Sequence, residues 1–125
     1  MCGIIGILAK NNINIYNFIL NGLNQLQNRG YDSAGISFHY NNSFKTIKYA
    51  TTKYETSLKK IENDISKLNE NNSIYNIGLG HTRWATHGPK TDYNSHPHVS
   101  NDGKVILVHN GIIENYQTLK DELLK

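Results

Sequence analysis

The segment MCGIIGI places a cysteine second in the chain, and no other thiol occurs among the 125 residues. A thiol is a good nucleophile only as its thiolate, which requires a base or a lowered pKa. Removal of Met1 supplies that base from the same residue. The freed α-amine of Cys2, a group with an ordinary pKa near ~8, suits proton transfer around neutrality. Nucleophile and base then belong to one residue, a convergent variant of the serine triad. A retained Met1 turns that nitrogen into a non-basic amide; a small second residue such as cysteine favours removal. Gly3 lets backbone approach the reacting centre closely.

Other residues suited to chemistry lie in short islands. The composition is dominated by Asn, Lys, Ile and Tyr, with 18 asparagines and 11 lysines against two arginines. Both arginines fall in dense segments, Arg29 in NRGYDSAG and Arg83 in HTRWATHG, and five of the six histidines lie between 81 and 109. Arg83 offers a planar fork matched to a carboxylate, with the Thr86 hydroxyl on the same loop. Asn110-Gly111 follows an apolar run, where a side-chain amide and a backbone N–H can converge as an oxyanion hole; an ordinary turn is the blander reading. Trp84, the only tryptophan, sits in a loop bounded by glycine and histidine and suits a lid over a ligand as well as it suits the core. Together these are the parts of an amide-cleaving site.

The elements that must position them follow from periodicity. Ile4–Leu8 reads as a buried strand. Ile15, Phe18, Ile19, Leu23 and Leu26 recur at helical spacing, with Gly30 as a stop signal. ISFHY and KTIKYAT flank Asn41-Asn42-Ser43 as a hairpin. Leu58, Ile61, Ile65 and Leu68 mark a second helix with a solvated outer face. Tyr75–Gly80 and Lys104–Val108 read as strands entering HTRWATHG and HNG, the latter buried. From Asn115, a candidate N-cap, Leu119 and Leu123 begin a stripe that reaches Lys125 without a stop signal, so a longer natural chain is expected.

Bulk properties bound the rest. The length suits one domain, and the net charge of +3 leaves no electrostatic footprint for nucleic acid or membrane. A lone cysteine forms no internal disulfide and fits a reducing, cytoplasmic compartment. No apolar stretch approaches a spanning helix, the opening lacks the features of a secretory signal, and Cys2 stands where myristoylation needs glycine.

Five ordered motifs, MCGIIGI, LNQLQNRGYDSAGI, GLGHTRWATHG, NSHPHVS and VHNGIIENY, resemble the N-terminal glutaminase domain of the glutamine–fructose-6-phosphate aminotransferase family, within the class II glutamine amidotransferases. Related phosphoribosyl-pyrophosphate amidotransferases resemble RGQDAAG and HVRYSTAG at these places, and asparagine synthetases RGPD; RGYDSAG, RWATHG and HNGIIENY are similar to the hexosamine enzymes. The resemblance implies an α+β, N-terminal-nucleophile hydrolase type αββα four-layer sandwich, only partly present in residues 1–125 and therefore with exposed apolar surface. It implies that Cys2 attacks the glutamine side-chain amide, that Asn110 and Gly111 stabilise the oxyanion, and that Arg83, Trp84, Thr86 and His87 bind glutamine. His96, Arg29, Tyr31 and Asp32 would support. No cofactor or metal is expected. Glutamine is the implied substrate, fructose 6-phosphate would bind only through synthase domains beyond this chain, and a full-length protein is expected to be a homo-oligomer.

An acidic residue in a motif like SETDTE, which recognises the substrate α-amino group in the family, falls beyond residue 125. A chain complete at that point would be an inactive glutamine-binding remnant. A different alternative is a metal module built on His81, His87, His96, His98 and His109. Only His96-Pro97-His98 forms a close pair and only Asp92 adds a carboxylate, so ordinary hydrogen bonding fits these residues better.

Overall fold

The computed structural model describes residues 1–11, 13–40, 42–68 and 76–125. Within them, strands β1 (Gly3–Leu8), β2 (Ser33–Tyr40), β3 (Ser43–Ala50) and β4 (Ile77–Arg83) form an antiparallel sheet in the order β1-β4-β2-β3. The β2–β3 hairpin closes with Tyr40 opposite Ser43. Asn41 of its expected turn, and Tyr75 at the expected start of β4, lie outside the described residues.

Helix α1 (Ile15–Leu26) crosses β1 and β4, and α2 (Ser57–Ile65) lies against β2 and β3. Each begins where a side chain satisfies an orphan N–H: Asn14 Oδ1 accepts from Asn17 N at 3.1 Å, and Thr56 Oγ1 from Lys59 N at 3.3 Å. The helical stripes meet alternate residues of β2, so that Ile15, Ile19, Leu23, Leu58 and Ile61 enclose one core with Ala34, Ile36 and Phe38. Phe18, expected in the stripe, is half-exposed instead.

Close docking of α1 depends on small residues in β4. A Cβ on Gly80 would lie 2.4 Å from Ile19 Cγ2 and 2.8 Å from Ile5 Cγ2, and one on Gly78 would lie 2.6 Å from Ile19 Cδ1. Those glycines let the helix backbone sit down on the strand.

Three expectations change on this scaffold. Ile4–Leu8 does form a strand, but an edge strand with one covered face: Ile5 and Ile7 pack on the core whereas Ile4 and Leu8 are exposed. An unbroken apolar run cannot reveal whether a second layer covers its outer face. The helical run does stop at Gly30, as expected, but through an extended residue and not a left-handed cap. Helix α1 passes into a 3₁₀ turn at Gln27–Arg29, and Gly30 is extended, with φ −179°. Glycine serves close approach there, since a Cβ would stand 2.7 Å from the Arg83 carbonyl carbon. Lys104–Val108 is not a buried strand either. Only Ile106–Leu107 (β6) pairs, with His98–Val99 (β5), and Val105 and Leu107 are exposed.

The final helix, α3 (Tyr116–Leu123), starts after Asn115 as expected, although the Asn115 side chain makes no cap bond. Leu119 and Leu123 within it, and Ile112 and Ile113 just before it, are exposed. No helix among the described residues is long and apolar enough to cross a membrane.

Candidate active site

Strand register brings the islands together. Gly3 pairs with Thr82 on β4, and Ser33 on β2 pairs with Arg83, so the start of β1, the end of β4 and the start of β2 share one end of the sheet. Gly3 and Thr82 face α1, where the Gly3 N–H donates to Thr82 Oγ1 at 3.2 Å. Alternation then turns Cys2, His81 and Arg83 to the opposite face.

A cleft of about 890 Å³ opens there, lined by Cys2, Arg29, His81, Arg83, Trp84, Thr86, His87, His96, Asn110 and Gly111 among others. Its size is that of a small-molecule site. Of the residues expected to act, Tyr31 and Asp32 alone do not line it. Tyr31 stacks edge-on against Trp84 with centroids 5.4 Å apart, and Asp32 works from beneath.

Cys2 is tied to the loop after β4. The Trp84 N–H points at Cys2 Sγ at 3.3 Å, and the thiol reaches the Trp84 carbonyl at 3.7 Å. Trp84, 42% exposed, lines the cleft. From the other side, Asn110 Nδ2 donates to the Cys2 carbonyl at 3.1 Å while Asn110 Oδ1 lies 2.8 Å from His81 Nε2. Gly111 has φ +150°, and a Cβ there would meet His109 Nε2 at 3.0 Å, so the turn that aims Asn110 requires glycine.

Arg83 is buried, and part of its fork shapes its own loop. Nη1 donates to the Pro89 carbonyl at 3.1 Å and Nη2 to the His87 carbonyl. The rest of the guanidinium borders the cleft beside Thr86, whose hydroxyl lies 3.2 Å from His87 Nδ1.

Asp32 anchors that loop. Its carboxylate accepts from the Ala85 N–H at 2.8 Å and pairs with Lys90 Nζ at 2.5 Å, while its own N–H donates to the Arg83 carbonyl at 3.0 Å. Burial alone raises the carboxyl pKa, but Lys90, the Ala85 N–H and Arg83 together bring it below the ordinary value. With the folded pKa lowered, the stabilisation is present above the unfolded value near ~4 and is lost as pH falls through the folded one. Asp32→Ala is therefore expected to cost about 1–3 kcal/mol at pH 7, mostly from the orphaned Ala85 N–H because Lys90 is solvated. The cost should shrink in acid. Thermal melts of both proteins at pH 7 and pH 3 check this; an equal gap at both values contradicts it.

The histidines gather as a stack. His81 and His96 lie face to face at 4.5 Å, and His98 meets His96 edge-on at 4.4 Å. Burial, then the neighbouring His81, His98, Arg83 and Lys48, pushes His96 down to about 3, and burial lowers His81 and His98 as well. All three are neutral near pH 7. Among the described residues no three His, Cys, Asp or Glu side chains converge to hold a metal ion.

Residues 46–125 match the glutamine amidotransferase domain model. The chain belongs to the glutamine amidotransferase domain family. Three similar proteins carry the name glutamine–fructose-6-phosphate aminotransferase (isomerizing): one from Pyrococcus horikoshii, 48% identical over all of this chain, one from Sulfolobus acidocaldarius, 45% identical over 98% of it, and one from Clostridium perfringens, 42% identical over all of it. The chain spans about a fifth of their length, 19–20%. The similarity to the Pyrococcus horikoshii protein covers all of this chain, so it includes the Cys2 segment, which lies outside the residues the domain model matches.

His81 and His109, which also line the cleft, are legible in the sequence only as possible metal ligands. Their signal was position, at the end of a strand and just before Asn110-Gly111, but the pairing that aims His81 at Asn110 spans 29 residues of sequence.

Proposed function

We propose that residues 1–125 are the nucleophile-bearing front of a glutaminase domain that hydrolyses the glutamine side-chain amide. The observation that carries this is the meeting of Cys2 Sγ, the Trp84 backbone and the Asn110 amide at one edge of a single cleft. Met1 removal frees the Cys2 α-amine, which accepts the thiol proton. Sγ attacks the amide carbon of glutamine, and the carbonyl oxygen becomes an oxyanion held by Asn110 Nδ2 and the Gly111 N–H. Collapse breaks the C–N bond, the α-ammonium returns its proton to the leaving nitrogen, and ammonia departs from a glutamyl thioester. Water, deprotonated by the same amine, hydrolyses the thioester to glutamate and restores Cys2.

Arg83, Thr86 and His87 hold the glutamine α-carboxylate, Trp84 closes over it, and Arg29, Tyr31, Asp32 and His96 support the walls. The exposed apolar residues of β1, β6 and α3 fit an αββα sandwich completed by later chain. In the full-length protein the ammonia converts fructose 6-phosphate to glucosamine 6-phosphate, in the cytoplasm and in a homo-oligomer. This reading draws on the names of the similar proteins. The test is product analysis of the full-length protein: glutamate from glutamine, and glucosamine 6-phosphate when fructose 6-phosphate is added. Glutamate without amino sugar would confine the proposal to the glutaminase; neither product would overturn it.

A further inference from the structure

An asparagine amide has nearly the same shape at both ends, so its partners must decide which end faces a reacting centre. At Asn110 one partner is the Cys2 carbonyl, which can only accept, and this places Nδ2 on the Cys2 side at 3.1 Å. Oδ1 is thereby turned to His81 Nε2 at 2.8 Å, a contact that is attractive only when Nε2 carries a proton. The His81 ring has little freedom to do otherwise. It is 1% exposed on β4 and stacked on His96, and its Nδ1 is buried without a hydrogen-bond partner. The other neutral tautomer would bury an unsatisfied N–H and set two lone pairs against each other at Nε2 and Oδ1.

We propose that His81 is a positioning residue: its Nε2–H holds Asn110 Oδ1 and so presents the Asn110 amide N–H₂ to the oxyanion that forms at Cys2. This rests on the reading of Asn110 as an oxyanion donor. His81 touches no reacting atom; it acts through Asn110, and its own rotation is blocked by the His96–His98 stack.

The test is steady-state glutamine hydrolysis by the full-length protein and its variants. His81→Phe preserves a ring to stack on His96 but removes the donor. It is expected to lower kcat by roughly 10–100-fold, less than complete loss of the oxyanion donor, with KM within about 3-fold and Cys2 alkylation by iodoacetamide at the parental rate. His81→Gln, whose amide restores an N–H near the Nε2 position, is expected to stay within about 3-fold of the parent. In the Asn110→Ala background His81→Phe is expected to cause no further loss, because the two residues act as one unit. An unchanged kcat in His81→Phe, or a full additional loss in the Asn110→Ala background, overturns the proposal. Should His81→Phe fail to fold, His81→Gln decides: a loss of tenfold or more in protein with normal Cys2 alkylation overturns it. A parent protein that releases no glutamate shows itself before any variant is made and overturns the underlying reading.

Discussion

Cys2→Ala is expected to lower glutamine hydrolysis by about 10⁴-fold or more, the scale seen when a covalent nucleophile is removed. The loss should fall on kcat. Without Sγ no thioester forms, and water must attack the amide directly while the oxyanion donors and the glutamine-binding loop remain. Glutamine affinity, measured by calorimetry, should therefore change little. Stability should change little as well, because Cys2 is only partly buried at the start of an edge strand and contributes no side chain to the core. Cys2→Ser should not rescue the rate, since an alcohol is much the weaker nucleophile beside an amine base. Substantial turnover by Cys2→Ala would remove Cys2 from the chemistry.

Asn110→Ala carries the second largest expected effect, a fall in kcat of about 10²–10³-fold from loss of one oxyanion donor. The donor acts on charge that exists only in the transition state, so KM should stay within a few-fold. Among the described residues the Asn110 side chain bonds Cys2 and His81, and its loss leaves the buried His81 N–H without its acceptor, so a destabilisation of up to about 1–3 kcal/mol is expected beside the loss of kcat. Separate kcat and KM values check the claim: a loss confined to KM would make Asn110 a ground-state binding residue instead.

The two core helices were readable because each has one covered face, which imposes the 3.6-residue period on Ile15, Ile19 and Leu23 and on Leu58, Ile61 and Ile65. The strands were readable as strands but not in their burial. Ile4–Leu8 and Lys104–Val108 carry the apolar content of doubly covered strands, yet among the described residues β1 has one face against α1 and Ile4 and Leu8 exposed, and β6 pairs over two residues. Coverage is a property of partners distant in sequence, and nothing within six residues encodes it.

The site shows the same division. Cys2, Arg83, Trp84, Asn110 and Gly111 stand out because glycine, arginine and tryptophan are concentrated around them against an asparagine- and lysine-rich background. A supporting role for Asp32 is implied by the family resemblance, but the particular contacts that hold the site residues in place are not legible. Asp32 reaches the Ala85 N–H across 53 residues, and Thr82 receives the Gly3 N–H across 79. Both contacts depend on the β1–β4–β2 register, which brings three strand ends together only after the sheet forms.

The measurement that tests the central claim most directly is intact-mass and peptide mass spectrometry of the natural full-length protein before and after incubation with 6-diazo-5-oxo-norleucine, a reactive glutamine analogue. The account predicts a chain without Met1 that gains a single adduct, located on Cys2 and suppressed by excess glutamine. A chain that retains Met1 and remains unlabelled, or an adduct on any other residue, would contradict an N-terminal cysteine nucleophile.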